Sequence, residues 1–381
     1  MSTKQTHYIY LIPGFFGFSD LGGITYFHHV REILTDLFAD TDIRPVIHTV
    51  DTYPTASIRK RAHRLHEQIV DTALEEDAPI HLIGHSTGGL DARLFVTPRA
   101  SLLNDVDTEP FARRVKSVTT ISTPHLGTPI ASFFNSLLGQ KLLYMMSVGT
   151  IYAMKFGRLP MAAMFKLIGL LSKADDHFGF EDNILDQFYQ HLFAEFTDEH
   201  AHAVSGFLEH VRTEQSLLGQ LTPGGIDLLN AAAEDREGVR YGCVVTQARP
   251  PSLGAVKDIG LDPYKQASHV MYTFLWKLVS RVPDYPNLSS EAYTFLVDAY
   301  GDTPEIGGND GMVPTRSQLH GELIHACWAD HLDVCGHFSA PRNTPPHIDW
   351  IASGSDFSPE QFNKLWEDVV GFMLDAEERA S

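Results

Sequence analysis

Cysteine is scarce in this chain. Cys243, Cys327 and Cys335 make an odd count that cannot close a complete disulfide framework, which fits a reducing compartment and leaves packing to hold the fold. Three reduced thiols are expected, with a Cys327–Cys335 pair as the alternative. Positive charge is also in deficit. Lys plus Arg total 29 against 48 Asp plus Glu, a formal charge of −19 that repels phosphate backbones and anionic membrane surfaces and excludes nucleic acid as an expected partner. Long apolar runs are missing too: residues 132–154 are broken by Asn135, Gln140 and Lys141, so no transmembrane helix is expected. The polar start Met1–Thr6 has neither a basic leader nor a small-residue cleavage site, and a cytoplasmic chain is the resulting expectation. No repeat or low-complexity tract is visible.

What remains is an ordinary globular composition. With 381 residues, 43% hydrophobic and 20% charged, the chain can bury a large core as one α/β domain with insertions or about two to three units. The run HYIYLI at residues 7–12 stops at Pro13-Gly14, as a buried parallel strand does before a loop. Strands are further predicted over 43–50, 79–84, 115–122 and 241–246, and helices over 27–38, 87–96 and 360–373. Ile58, Ala62, Leu65 and Ile69 form a helical stripe, and the cluster Arg59, Lys60 and Arg61 reads as the solvated face opposite it. Strand and helix alternating at this spacing imply βαβ units on a mostly parallel sheet flanked by helices. Residues 130–237 break the rhythm: they are rich in Leu, Phe and Met and read as an inserted helical cap or lid, with 1–129 and 238–381 forming the core.

Chemistry concentrates at residues 84–89, GHSTGG. This Gly-x-Ser-x-Gly pattern lies directly between a predicted strand and a predicted helix, the setting in which a strained turn lifts a serine hydroxyl above a sheet. Ser86 is the candidate nucleophile, and Gly84 and Gly88 are the positions where side chains would collide with the neighbouring strand and helix. A serine hydroxyl needs a base held by a carboxylate, and the chain order serine, acid, histidine directs the search to the C-terminal part. There the turn GGNDGMVP offers Asp310, and ADHLD about twenty residues on offers His331. His320, His325, His337 and His347 compete for the base role, and Asp298 and Asp302 for the acid. Donors for a tetrahedral oxyanion are expected from the backbone N–H of Thr87 and, in the loop PGFFG after the first strand, of Phe15. His125 reads as a supporting residue.

These segments resemble the bacterial true lipases, the family I triacylglycerol lipases of the α/β-hydrolase fold. LIPGFFGFSDLGGITYF resembles the family's oxyanion loop, with Pro13-Gly14 where the family usually has His-Gly, and GHSTGGLDAR resembles its nucleophile elbow. STPHLGTP, NDGMVPTRSQLHGELI and ADHLD resemble the loop after the next strand and the acid and histidine segments. The resemblance implies Ser86, Asp310 and His331 as a triad, with His331 preferred over His337 because it stands in His-Leu-Asp. It implies a serine carboxylester hydrolase acting on acylglycerols or other lipophilic esters without an organic cofactor. It further implies a structural calcium ion on Asp333, although Asn287, Leu288, Ser289 and Ser290 stand where the family has its second aspartate and Asp284 is only a nearby candidate; the family it points to is typically secreted. Acyl transfer through the same triad and a non-catalytic binding protein on the same fold are the alternatives.

Overall fold

The structure, a computed structural model, describes residues 4–136, 139–148 and 198–378 apart from 16, 18–24, 141, 145, 253–262, 283–284, 303–304, 340–348 and 350. Six parallel strands form one sheet in the order β2-β1-β3-β4-β5-β6: β1 (Gln5–Ile12), β2 (Ile43–Thr49), β3 (Ile80–His85), β4 (Val115–Ile121), β5 (Arg240–Gln247) and β6 (Glu322–Trp328). β1 and β3 are almost wholly buried, because helices cover both faces and every side chain of a central parallel strand is then inside. Side chains alternate in direction along β1. Tyr8, Tyr10 and Ile12 enter one apolar cluster with Leu65, Ile69 and Phe95 from α2 (Ile58–Thr72) and α3 (Thr87–Val96). Ile9 and Leu11 enter another with Val30 and Leu34 of α1 (Val30–Leu37) and with Trp366 and Val369 of the last helix, Pro359–Glu378.

Between β4 and β5 the described residues hold helices and turns but no strand, among them α4 (Pro129–Phe134), α5 (Asp198–Thr213) and α6 (Pro223–Ala232). Met154, Met161 and Met164 lie outside the described residues. After β5 come α7 (Pro263–Val279) and α8 (Ser290–Tyr300), and α9 (Pro359–Glu378) closes the chain against β4, β5 and β6. β6 carries no expectation from periodicity. It is an edge strand, half-exposed along most of its length, so ELIHACW shows neither the continuous apolar run of a central strand nor a clean alternation. Among the described residues no helix is long and apolar enough to cross a membrane.

The sheet buries a histidine pair near the N-terminal ends of β1 and β3. His7 Nδ1 lies 3.1 Å from His81 Nε2, and His81 Nδ1 lies 2.8 Å from Ser117 Oγ. Burial, followed by the charge of Lys116, pulls His7 down to about 4, and burial, followed by His7 and Lys116, pulls His81 down to about 3. Both fall below the free imidazole value, so the stability they contribute as neutral groups is complete above about pH 6.5 and is lost as the pH falls toward those values. A His81→Gln variant is therefore expected to lag the wild type less at pH 5 than at pH 7. The gap should shrink by about 1.4 kcal/mol per pH unit below 6.5, as read by urea denaturation at both pH values. A constant gap contradicts the assignment.

Candidate active site

Ser86 sits between β3 and α3 with φ 53° and ψ −129°, a left-handed conformation that costs a non-glycine residue roughly 1–3 kcal/mol. The surroundings impose it. A Cβ on Gly88 would overlap the Ile12 carbonyl and one on Gly84 would overlap the Gly88–Gly89 peptide, so only bare backbone lets the turn close. The Ser86 N–H is bonded to the Ile121 carbonyl at 2.8 Å, which ties the turn to β4. Thr87 begins α3, so its N–H points out of the positive end of a ten-residue helix.

Asp310 is fully buried in the turn after Asn309, yet its carboxylate is richly supplied with donors. Oδ1 accepts the N–H groups of Met312 and Val313 at 2.9 and 2.7 Å. Oδ2 accepts from His331 Nδ1 at 2.7 Å, Thr246 Oγ1 at 2.9 Å and Gln318 Nε2 at 3.3 Å. Thr246, near the end of β5, is itself held by Ser122 Oγ at 2.7 Å, and Ser122 directly follows β4 with a positive φ of 51°. This many donors fit the charged carboxylate and compensate its removal from water. With Nδ1–H committed to the carboxylate, neutral His331 leaves Nε2 as an acceptor.

Ser86 and His331 line one cavity. His85, the neighbour of the serine, donates from Nε2 to the His331 carbonyl at 2.8 Å, and the two imidazole centroids are 4.6 Å apart. Among the described residues no hydrogen bond of ordinary length joins the Ser86 hydroxyl to the imidazole, a contact that commonly tightens only with substrate bound. The cavity, about 160 Å³, has roughly ten times the room one water needs. Its wall is apolar: Phe15, Phe134, Leu143, Met146, Leu218, Met271 and Leu275 contribute to it.

The loop after β1 reaches the same place. A Cβ on Gly14 would overlap the side chain of Ser86, so the loop backbone lies directly against the hydroxyl-bearing carbon. Arg61 holds it there, which corrects the expectation of a solvated face for all three basic residues. Its side chain is fully buried: Nη2 donates to the carbonyls of Pro13 and Gly14 at 2.7 and 3.2 Å, and Nη1 donates to Thr52 Oγ1 and the Tyr53 carbonyl. Nε and Nη2 pair with Asp91, itself fully buried, at 2.9 and 2.8 Å. Sequence reasoning missed this clamp, although an Asp in the nucleophile helix and an Arg directly before the buried Ala62 were its available signal. Phe15 is half-buried against the cavity wall, while Phe16 and Phe18 lie outside the described residues.

Of the competing histidines, His337 also lines the cavity. His337 donates from Nε2 to the Tyr26 carbonyl at 2.8 Å, His320 pairs with Asp235 and His325 with Asp368, and His347 lies outside the described residues. Asp298 and Asp302 are exposed. His125 is buried between Arg93 and Thr120 and its carbonyl accepts from Asn230, a supporting position. Cys243, Cys327 and Cys335 are all free and buried, so the alternative of a Cys327–Cys335 pair is not realised.

The calcium expectation also meets a different arrangement. Asp333 Oδ2 accepts the Asp330 N–H at 2.8 Å and the Ser355 hydroxyl at 2.7 Å. Asp330 accepts the N–H groups of Leu332 and Asp333 and the Ser353 hydroxyl. Burial holds both carboxyls above the ordinary carboxylate range. Among the described residues no group of three or more carboxylates, imidazoles or thiolates is arranged to hold a metal ion, and Asp284 lies outside them. Asp349 adds to the rise at Asp333, and its own Oδ1 is buried without a hydrogen-bond partner among the described residues.

The S. hyicus lipase structure superposes with a TM-score of 0.55 at 16% identity, covering 99% of this chain and 97% of that one. This chain has the lipase-like α/β-hydrolase fold. Lipase 1 from Pelosinus fermentans aligns with the same hydrolase fold at a TM-score of 0.51 and 16% identity, covering 96% of this chain and 98% of that one. Residues 15–157 match a family described as "Putative serine esterase (DUF676)". A triacylglycerol lipase of Vibrio cholerae serotype O1 is 30% identical over 136 residues, covering 35% of this chain and 38% of the relative. A triacylglycerol lipase of Pseudomonas fragi is 27% identical over 132 residues, covering 34% and 39%. The chain thus spans less than two fifths of the length of the sequence relatives it matches.

Proposed function

We propose that this α/β-hydrolase is a serine carboxylester hydrolase for lipophilic esters. One observation carries the reading: a serine held at positive φ shares an apolar cavity with a histidine whose Nδ1 is bonded to a buried carboxylate at 2.7 Å. In this reading His331 Nε2 takes the Ser86 proton as the hydroxyl attacks the ester carbonyl, and Asp310 stabilises the imidazolium that forms. The N–H groups of Thr87 and Phe15 receive the negative charge of the tetrahedral intermediate. The imidazolium then protonates the leaving alcohol. Water, deprotonated by the same imidazole, attacks the acyl-serine, and the acid departs. The apolar wall supplies the ground for an acyl chain in place of a charged group, and residues 130–237 contribute Phe134, Leu143, Met146 and Leu218 to it as a cap.

The reaction as proposed uses only this chain's own groups and no metal. The test is a rate series over p-nitrophenyl esters of rising chain length, with and without a chelator. Turnover is expected to exceed background for acyl chains and to be unchanged within twofold by the chelator. Absence of ester turnover across the series contradicts the function, and a chelator-dependent loss contradicts the metal-free reading.

A further inference from the structure

Four groups from distant parts of the chain form one directed line of hydrogen bonds beside the cavity. The Gly14 N–H donates to Tyr26 Oη at 3.1 Å, Tyr26 Oη lies 2.7 Å from His85 Nδ1, and His85 Nε2 lies 2.8 Å from the His331 carbonyl. The directions follow from chemistry. A carbonyl only accepts, so His85 must carry its proton on Nε2; burial, reinforced by His331, keeps the ring neutral, so Nδ1 is bare and accepts. Tyr26 has one proton, which goes to Nδ1, and its lone pair is what receives the Gly14 N–H. No member can reverse without leaving a buried group unpaired.

We infer that Tyr26 and His85 are positioning residues that tie the oxyanion loop to the backbone of the base. The inference rests on the hydrolase reading above. One end of the line is the Pro13–Gly14 peptide, one before the peptide that carries the Phe15 N–H, the proposed oxyanion donor, and the other is the carbonyl of His331 itself. His85 is fully buried, and the Tyr26 ring packs edge-on against Phe27 at 5.1 Å and tilted against His85 at 5.7 Å, so the strut is stiff. Arg61 fixes the loop by its carbonyls and Asp310 fixes the base by its imidazole; the strut sets the distance between those two assemblies. Catalysis falls steeply with misplacement of about 1 Å, which makes that distance a determinant of kcat and hardly of substrate affinity.

The test is a double-mutant cycle with Tyr26→Phe and His85→Leu, following p-nitrophenyl butyrate turnover. Each single variant is expected to lower kcat ten- to a hundredfold with KM within about twofold, and the double variant to fall no further than the worse single one. Tyr26→Phe removes one oxygen and keeps the ring packing, so it decides alone if His85→Leu fails to fold. Nitrogen-15 spectra of the histidines provide a second readout, with His85 expected as the neutral Nε2–H form at pH 5.5. A Tyr26→Phe variant with wild-type kcat, losses that multiply in the double variant, or a His85 proton on Nδ1 overturns the strut while leaving the hydrolase reading intact. A wild type with no Ser86-dependent turnover overturns both.

Discussion

Replacing Ser86 with alanine is expected to lower ester turnover by about four to six orders of magnitude, since nucleophile, base and acid act as a unit. The fold should survive. Alanine at position 86 still has to adopt φ near 53°, the same backbone demand the serine meets. Steady-state kinetics with p-nitrophenyl butyrate, alongside a circular dichroism melt, separates loss of chemistry from loss of structure. A fluorophosphonate probe should label the wild type at Ser86 and leave the variant unmarked. Esterase activity within tenfold of wild type in Ser86→Ala, or labelling at another residue, would remove the nucleophile assignment.

The second large effect is on stability. Arg61→Ala is expected to cost about 3–5 kcal/mol, because it strands the Asp91 carboxylate in the interior and leaves the Pro13 and Gly14 carbonyls without their donor. Burial already pushes Asp91 up to about 6 against the pull of Arg61, so without the cation the carboxyl must take a proton or draw in water. Lysine should not rescue it, since a single ammonium cannot reproduce a fork that spans Asp91, Thr52 and the loop carbonyls. The exposed neighbour provides the control. Arg59 bonds Ser101 and the Leu102 carbonyl at the surface, and Arg59→Ala should stay within about 0.5 kcal/mol of wild type. Urea denaturation measures all three variants, and an Arg61→Ala protein as stable as Arg59→Ala would show that the clamp contributes nothing.

The contrast between Arg59 and Arg61 shows where sequence reasoning ends. The central strands were legible because burial on both faces leaves continuous apolar runs, and the elbow was legible because three constraints of one turn fall within six residues. Asp310 and His331 could be named because each sits in a short local signature. Their contact is a long-range fact, made by the C-terminal ends of parallel strands meeting at one edge of the sheet. Arg61 was unreadable for the opposite reason: a charge next to an apolar stripe is usually solvated, and only Asp91, 30 residues away in sequence, makes burial tolerable. β6 was missed since an edge strand carries a mixed pattern. The calcium expectation came with the resemblance, and nothing in the sequence reveals that Ser353 and Ser355 donate to Asp330 and Asp333.

The order of strands also governs when reactivity can appear during synthesis. The hydroxyl and its elbow leave the ribosome with β3, whereas the imidazole emerges only after β6, and the helix that covers β4, β5 and β6 comes later still. A polypeptide made only as far as β5 therefore carries the proposed attacking group without the imidazole proposed to deprotonate it.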